Sequence, residues 1–174
     1  METRIGSETV YKGRIITVRV DDVELPDGRR ARREVVEHPG AVGIVAVNSA
    51  GNVLLIEQFR YAAGRTLLEI PAGTMEAGES PEETARRELL EETGFRAGEL
   101  AEIGRFFVSP GWATEEIVLY RAGALSFAGH APGHDEILRV VEVAPARIPV
   151  LMRDGTIADA KTIIALQMDS AYAE

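Results

Sequence analysis

Gly73-Thr74-Met75-Glu76-Ala77-Gly78-Glu79-Ser80-Pro81-Glu82-Glu83-Thr84-Ala85-Arg86-Arg87-Glu88-Leu89-Leu90-Glu91-Glu92-Thr93-Gly94-Phe95 is the stretch on which the reading of the fold turns. Its middle opens with Ser80 at an N-cap position, proline at the first helical position and Glu83 where a capping-box carboxylate belongs. Its end is set by Gly94, placed where a left-handed residue closes a helix. The spacing therefore predicts a helix between Ser80 and Gly94. The segment before it, Ala72 to Glu79, has two glycines, two acids and no apolar periodicity, and reads as an exposed loop.

The acids of this helix are ordered. Glu88 and Glu92 are four apart and Glu91 is three from Glu88, so all three project within about 100° of one another. Like charges at that spacing repel by a few tenths of a kcal/mol, roughly, per exposed pair. A hard cation would reverse the sign, because carboxylate oxygens are what magnesium and calcium take as ligands. Arg87 is four residues from both Glu83 and Glu91 and can hold part of the set in place. Ala85 and Leu89, on the other side, offer a packing stripe. The rival reading, a solvated acidic helix face, is the ordinary one for a helix of this composition.

Outward from the helix, the chain reads as strands. Arg14 to Leu25 alternates, Pro26-Asp27-Gly28 supplies a turn, and Arg32 to Glu37 returns, giving an N-terminal β-hairpin. Ala41 to Val47 and Val53 to Tyr61 form a second hairpin about the turn-prone Asn48 to Asn52. Thr66 to Ile70 is a short strand ended by Pro71. Leu100 to Val108, Glu116 to Ala122 and Ile137 to Val143 are further strands, whereas Pro145 to Arg153 and Asp159 to Ala171 are helical. Gly123 to Asp135, rich in glycine, histidine and proline, reads as a loop.

With 174 residues, 45% of them hydrophobic, the chain supports one catalytic core with a small appended subdomain. The expected division is residues 1–38 as an N-terminal β-strand region and 39–174 as the catalytic domain. A net charge of -9 argues against nucleic-acid or anionic-membrane partners, which call for a basic face. An acidic protein that handles phosphates needs a cation. The absence of cysteine removes thiol nucleophiles and disulfides, and no run nears the roughly 18 apolar residues of a membrane span. A cytoplasmic location is the expectation.

Taken together, loop and helix carry glycine, five residues, glutamate, seven residues, then Arg-Glu-apolar-any-Glu-Glu-any-Gly-apolar, nine defined positions over 23 residues. This resembles the box of the Nudix hydrolases at every defined position. The resemblance implies an α/β fold, an α/β/α sandwich around a mixed sheet with the N-terminal hairpin as a subdomain. It further implies hydrolysis of a diphosphate linked to a nucleoside, with Mg2+ as cofactor and Mn2+ as its substitute. Glu88 and Glu92 become the metal ligands, with the backbone carbonyl of Ala72 and the side chain of Glu115 as additional ones. Glu91 and Arg87 take catalytic roles, and Arg87 with Glu79 orients the metal-binding carboxylates.

Flanking segments resemble the ADP-ribose pyrophosphatase branch of that family. Glu57-Gln58-Phe59-Arg60-Tyr61 resembles its Gln-Tyr-Arg segment, and Leu68-Glu69-Ile70-Pro71-Ala72-Gly73 its lead into the box. Arg60 is then a phosphate contact. Glu69 either binds the adenine or ribose region or pairs with Arg65. Ser109-Pro110-Gly111-Trp112 resembles the branch's Ser-Pro-Gly-aromatic segment, with Pro110 16 residues after Gly94, which makes Pro110 and Trp112 substrate-binding candidates. The late loop departs from the pattern: Glu136 matches one expected acid, but His134 replaces the other. The general base is Glu136 through a water, or His134, whose ordinary pKa suits neutral pH. His38 and His130 have no supporting constellation.

The expected reaction is ADP-ribose plus water giving AMP and ribose 5-phosphate. The alternatives are hydrolysis of another nucleoside diphosphate sugar such as GDP-mannose, and a nucleotide-binding domain without turnover. Members of the branch pair through N-terminal strands, so a homodimer formed by that region is expected.

Overall fold

The computed structural model describes residues 1–129 and 137–172. Contacts divide the chain into two compact units, Met1–Gly40 with Phe106–Ile117, and Ala41–Arg105 with Val118–Glu174.

The first unit is built on an antiparallel sheet of β1 (Thr3–Lys12), β2 (Thr17–Glu24) and β3 (Arg30–Glu37), in that order. The expected hairpin is β2 and β3, turned at Gly28, whose amide donates to the Leu25 carbonyl at 2.9 Å. Strand β1 was not legible. Its side chains are almost all exposed, so it carries no in-out alternation, and it is held by its backbone ladder to β2. The loop after Val108 is tied to β3 by main-chain bonds, Val36 N to Trp112 O at 2.8 Å and Thr114 N to Val36 O at 3.0 Å.

The second unit holds β4 (Ala41–Val47), β5 (Val53–Arg60), β6 (Arg65–Glu69), β7 (Ala72–Thr74), helix α1 (Pro81–Thr93), most of β8 (Phe95–Phe107) and β9 (Glu116–Phe127), β10 (Leu138–Val143), and helices α2 (Ile148–Arg153) and α3 (Ala160–Tyr172). Its sheet runs β10-β5-β4-β9-β8, with β6 added to β5 and β7 to β4. Strand β4 is buried on both faces, as the unbroken apolar run from Ala41 requires. Val42, Ile44 and Ala46 point to α1, where they meet the predicted stripe of Ala85 and Leu89. A fully buried leucine such as Leu89 contributes about 1.5–3 kcal/mol. The other face of β4 is covered by α3.

Helix α1 starts and stops where the sequence places it. The Ser80 hydroxyl accepts from Glu83 N, the Glu83 carboxylate accepts from Ser80 N, and Gly94 closes the helix at φ 76°. Two expectations are corrected. Ala72–Thr74 is not loop but strand β7, since Gly73 pairs with Val42 and Ala72 with Gly43; the pairing is tertiary, and a window of local sequence does not contain it. The expected loop from Gly123 begins later, because β9 continues to Phe127. Among the described residues, no helix is long and apolar enough to cross a membrane.

Candidate active site

In the second unit, β7 delivers its backbone against the acidic face of α1. Glu92 is only 2% exposed, and its Oε2 accepts a hydrogen bond from Ala72 N at 2.9 Å. One turn earlier lies Glu88. Gly73 approaches it so closely that a Cβ there would stand 1.9 Å from the carboxylate. Two carboxylates four residues apart thus abut consecutive backbone positions of one short strand. Glycine at 73 is needed for space, not for an unusual backbone angle.

Arg87 organises the rest. Its Nε and Nη2 form a fork on Glu79 at 2.8 and 2.9 Å, Nη2 also donates to Thr74 O at 3.3 Å, and Nη1 donates to Glu88 at 2.7 Å and Glu91 at 3.2 Å. It therefore joins the loop to the helix and offsets the repulsion among the acids. Of the two partners expected four residues away it takes Glu91 alone, because Glu83 is occupied by the capping box. The guanidinium's pKa is raised, first by the hydrogen bond to Glu79.

The same fork sets a pH dependence. The hydrogen bond from Arg87 leads in lowering the Glu79 carboxyl from 4.5 to about 2, against desolvation and with help from the Glu76 amide and Thr84 hydroxyl. A depressed folded value means the stabilisation is complete above the unfolded value and disappears as the pH falls through about 2. The thermal midpoint of wild type should exceed that of Glu79→Gln at neutral pH. That gap should close between pH 4.5 and about 2. A gap that is constant across this range would remove the ionised fork as its cause.

Glu69, also 2% exposed, sits at the end of β6. It pairs with Arg60, not Arg65: Arg60 Nε and Nη2 donate to its two oxygens, each at 2.9 Å. Lys161 Nζ donates to the same carboxylate and, at 2.9 Å, to Asp159. Burial pushes the Glu69 carboxyl up, but the hydrogen bonds and charges of Arg60 and Lys161 outweigh it and hold the group below its ordinary value. Sequence reasoning missed Lys161 and Asp159. They lie more than 85 residues from Glu69, and only the packing of α3 on the sheet unites them.

Pro110, Trp112 and Glu115 belong to the first unit. Pro110 is exposed, Glu115 is half-buried with its carbonyl accepting from Val108 N, and Trp112 is 57% exposed. Gly111 and Trp112 line a cavity of about 410 Å³ with Val20, Arg32, Arg33 and Glu34. The arginines were not singled out by sequence, since nothing local distinguishes them from other charges on an exposed strand. Glu136 and His134, the two general-base candidates, lie outside the described residues, as does His130.

The donor set on α1 fits a hard divalent cation, being made of carboxylate oxygens beside a backbone strand. Among the described residues no three acidic or histidine side chains already converge as a closed cage. Glu88 and Glu91 are turned toward Arg87 instead.

Comparison with known proteins agrees with this geometry. Residues 37–165 match the NUDIX domain, and residues 2–36 match the nucleoside diphosphate sugar hydrolase N-terminal domain. The chain belongs to the Nudix hydrolase family, whose members generally need a divalent metal. It is 42% identical over 168 residues to the ADP-ribose pyrophosphatase of Bacillus subtilis (strain 168), spanning 95% of this chain and 91% of the relative. It is 40% identical, over the same shares, to the methanol dehydrogenase activator of Bacillus methanolicus. A crystal structure of an ADP compounds hydrolase superposes with a TM-score of 0.86 at 27% identity, covering 98% of this chain and 93% of the other.

Proposed function

We propose that the protein is a magnesium-dependent pyrophosphohydrolase of ADP-ribose, releasing AMP and ribose 5-phosphate. The observation that carries this reading is the placement of Glu88 and Glu92 against the backbone of Ala72 and Gly73. The relatives named for ADP-ribose and ADP compounds support the substrate. Glu88, Glu92 and the Ala72 carbonyl hold the cation. Once bound, the cation neutralises diphosphate charge and polarises the attacked phosphorus. Arg87 keeps Glu88 and Glu91 in place, and Arg60 contacts the diphosphate. Glu136 takes a proton from the attacking water, with His134 as the alternative base. Within the first unit, exposed Trp112 at a cavity wall offers a stacking surface for a base, with Pro110 two residues before it.

The test is hydrolysis of ADP-ribose, ADP-mannose, GDP-mannose and NADH with magnesium, scoring release of the nucleoside monophosphate, AMP or GMP. Preference for ADP-ribose is the expected result. Turnover of GDP-mannose alone would replace the substrate and keep the chemistry, and no turnover with any divalent metal would leave a nucleotide-binding domain.

We also propose that residues 1–38 are a dimerisation region and that the protein is a homodimer. Ile5, Val10, Tyr11, Ile15 and Ile16 are exposed there, and an antiparallel sheet with apolar side chains in water favours a second copy. A sedimentation mass of one chain would overturn this.

A further inference from the structure

We infer that Lys161 is a positioning residue, which sets how tightly Glu69 holds Arg60 and so how readily the Arg60 guanidinium engages the diphosphate of the substrate. This rests on the reading that Arg60 contacts the diphosphate. The Arg60 fork is spent on Glu69 through Nε and Nη2. That fork is one of the two edges by which a guanidinium matches a phosphate, and Nη2 belongs to both. The diphosphate and Glu69, both anions, therefore compete for one cation.

If Arg60 were the only partner of Glu69, its departure would strand an unpaired carboxylate in the interior, and the competition would favour Glu69. Lys161 changes that balance. Its ammonium already bonds Glu69 Oε2, so the carboxylate stays paired when Arg60 turns away. The ammonium is itself anchored. Asp159 accepts from Lys161 Nζ at 2.9 Å and caps α3 by accepting from Thr162 N at 2.9 Å and Thr162 Oγ1 at 2.6 Å. Thr162 Oγ1 in turn accepts from Ile70 N at 2.9 Å, the residue next to Glu69. Two cations and two carboxylates make a neutral set, and Arg60, with 39% of its side chain exposed, is the member nearest to solvent.

The experiment measures binding of the α,β-methylene analogue of ADP-ribose, together with KM and kcat for ADP-ribose, thermal midpoints serving as the check on folding. Lys161→Met should weaken analogue binding and raise KM by about tenfold, the lower end of what a supporting partner commands, with kcat changed by less than about twofold. Lys161→Arg should restore wild-type values. Adding Glu69→Gln to Lys161→Met should recover binding, because a neutral amide competes weakly for Arg60; a merely structural lysine would give a double variant no better than the single. Should Lys161→Met fold poorly, the neutral double variant and Lys161→Gln carry the same comparison. Unchanged binding in Lys161→Met, or no recovery in the double variant, overturns the proposal. Arg60→Gln separates the two levels: if it too binds the analogue normally, the diphosphate role of Arg60 has failed, whereas if it alone binds weakly, only the role of Lys161 has.

Discussion

Glu92→Gln is expected to lower kcat by about 10³-fold, equivalent to about 4 kcal/mol of barrier, while the protein stays folded. The substitution is nearly isosteric, and the amide oxygen can still accept from Ala72 N, so the junction of β7 with α1 survives. What it loses is charge. Glu92 is among the most deeply buried acids of the chain, and as a proposed ligand its carboxylate holds a hard cation more tightly than an amide would. Magnesium should therefore raise the thermal midpoint of wild type by mass action and leave that of Glu92→Gln little changed. Wild-type kcat in Glu92→Gln, or an equal magnesium increment in both proteins, would take Glu92 out of the metal site.

Gly73→Ala should be nearly as damaging, for a different reason. The added methyl would stand 1.9 Å from the Glu88 carboxylate, inside any tolerable contact, so one of the two must move. Gly73 is fixed by its pairing with Val42, and Glu88 is held at 2.7 Å by Arg87. Overpacking of this kind costs about 1–3 kcal/mol of stability. Displacement of a reacting group by about 1 Å costs about 10²-fold in rate. Shortening the acid in Gly73→Ala/Glu88→Asp should return stability without activity, since the clash is relieved and the ligand is too short. Full activity in Gly73→Ala would show that Glu88 has freedom to retreat, and would remove this contact from the catalytic geometry.

Both expectations turn on a helix that sequence reads well. The caps of α1, its packing stripe and the spacing of Glu88, Glu91 and Glu92 are local properties, set by residues within a few positions of one another. Most strands of the second unit were legible for the same reason, as alternation or unbroken apolar runs between turns. Legibility stopped where partners are distant. Strand β1 has no buried face of its own, β7 exists only because β4 lies beside it, and the Glu69 set draws on both ends of the catalytic unit. Arg65 was the near neighbour that sequence offered to Glu69. The partner chosen, Arg60, lies on the neighbouring strand β5, opposite Arg65 and not opposite Glu69, and reaches the carboxylate with its long side chain.

Arg87 reaches Thr74 and Glu79 with one end and Glu88 and Glu91 with the other, so the stretch between Thr74 and Glu79 acts as a tether of fixed span. Its letters matter less than its length. Glu76 and Ala77, both exposed, are open to exchange so long as the tether closes, whereas a single inserted residue slackens it and releases Glu79 from the guanidinium. Drift in this loop should therefore run through substitution, with insertion and deletion excluded.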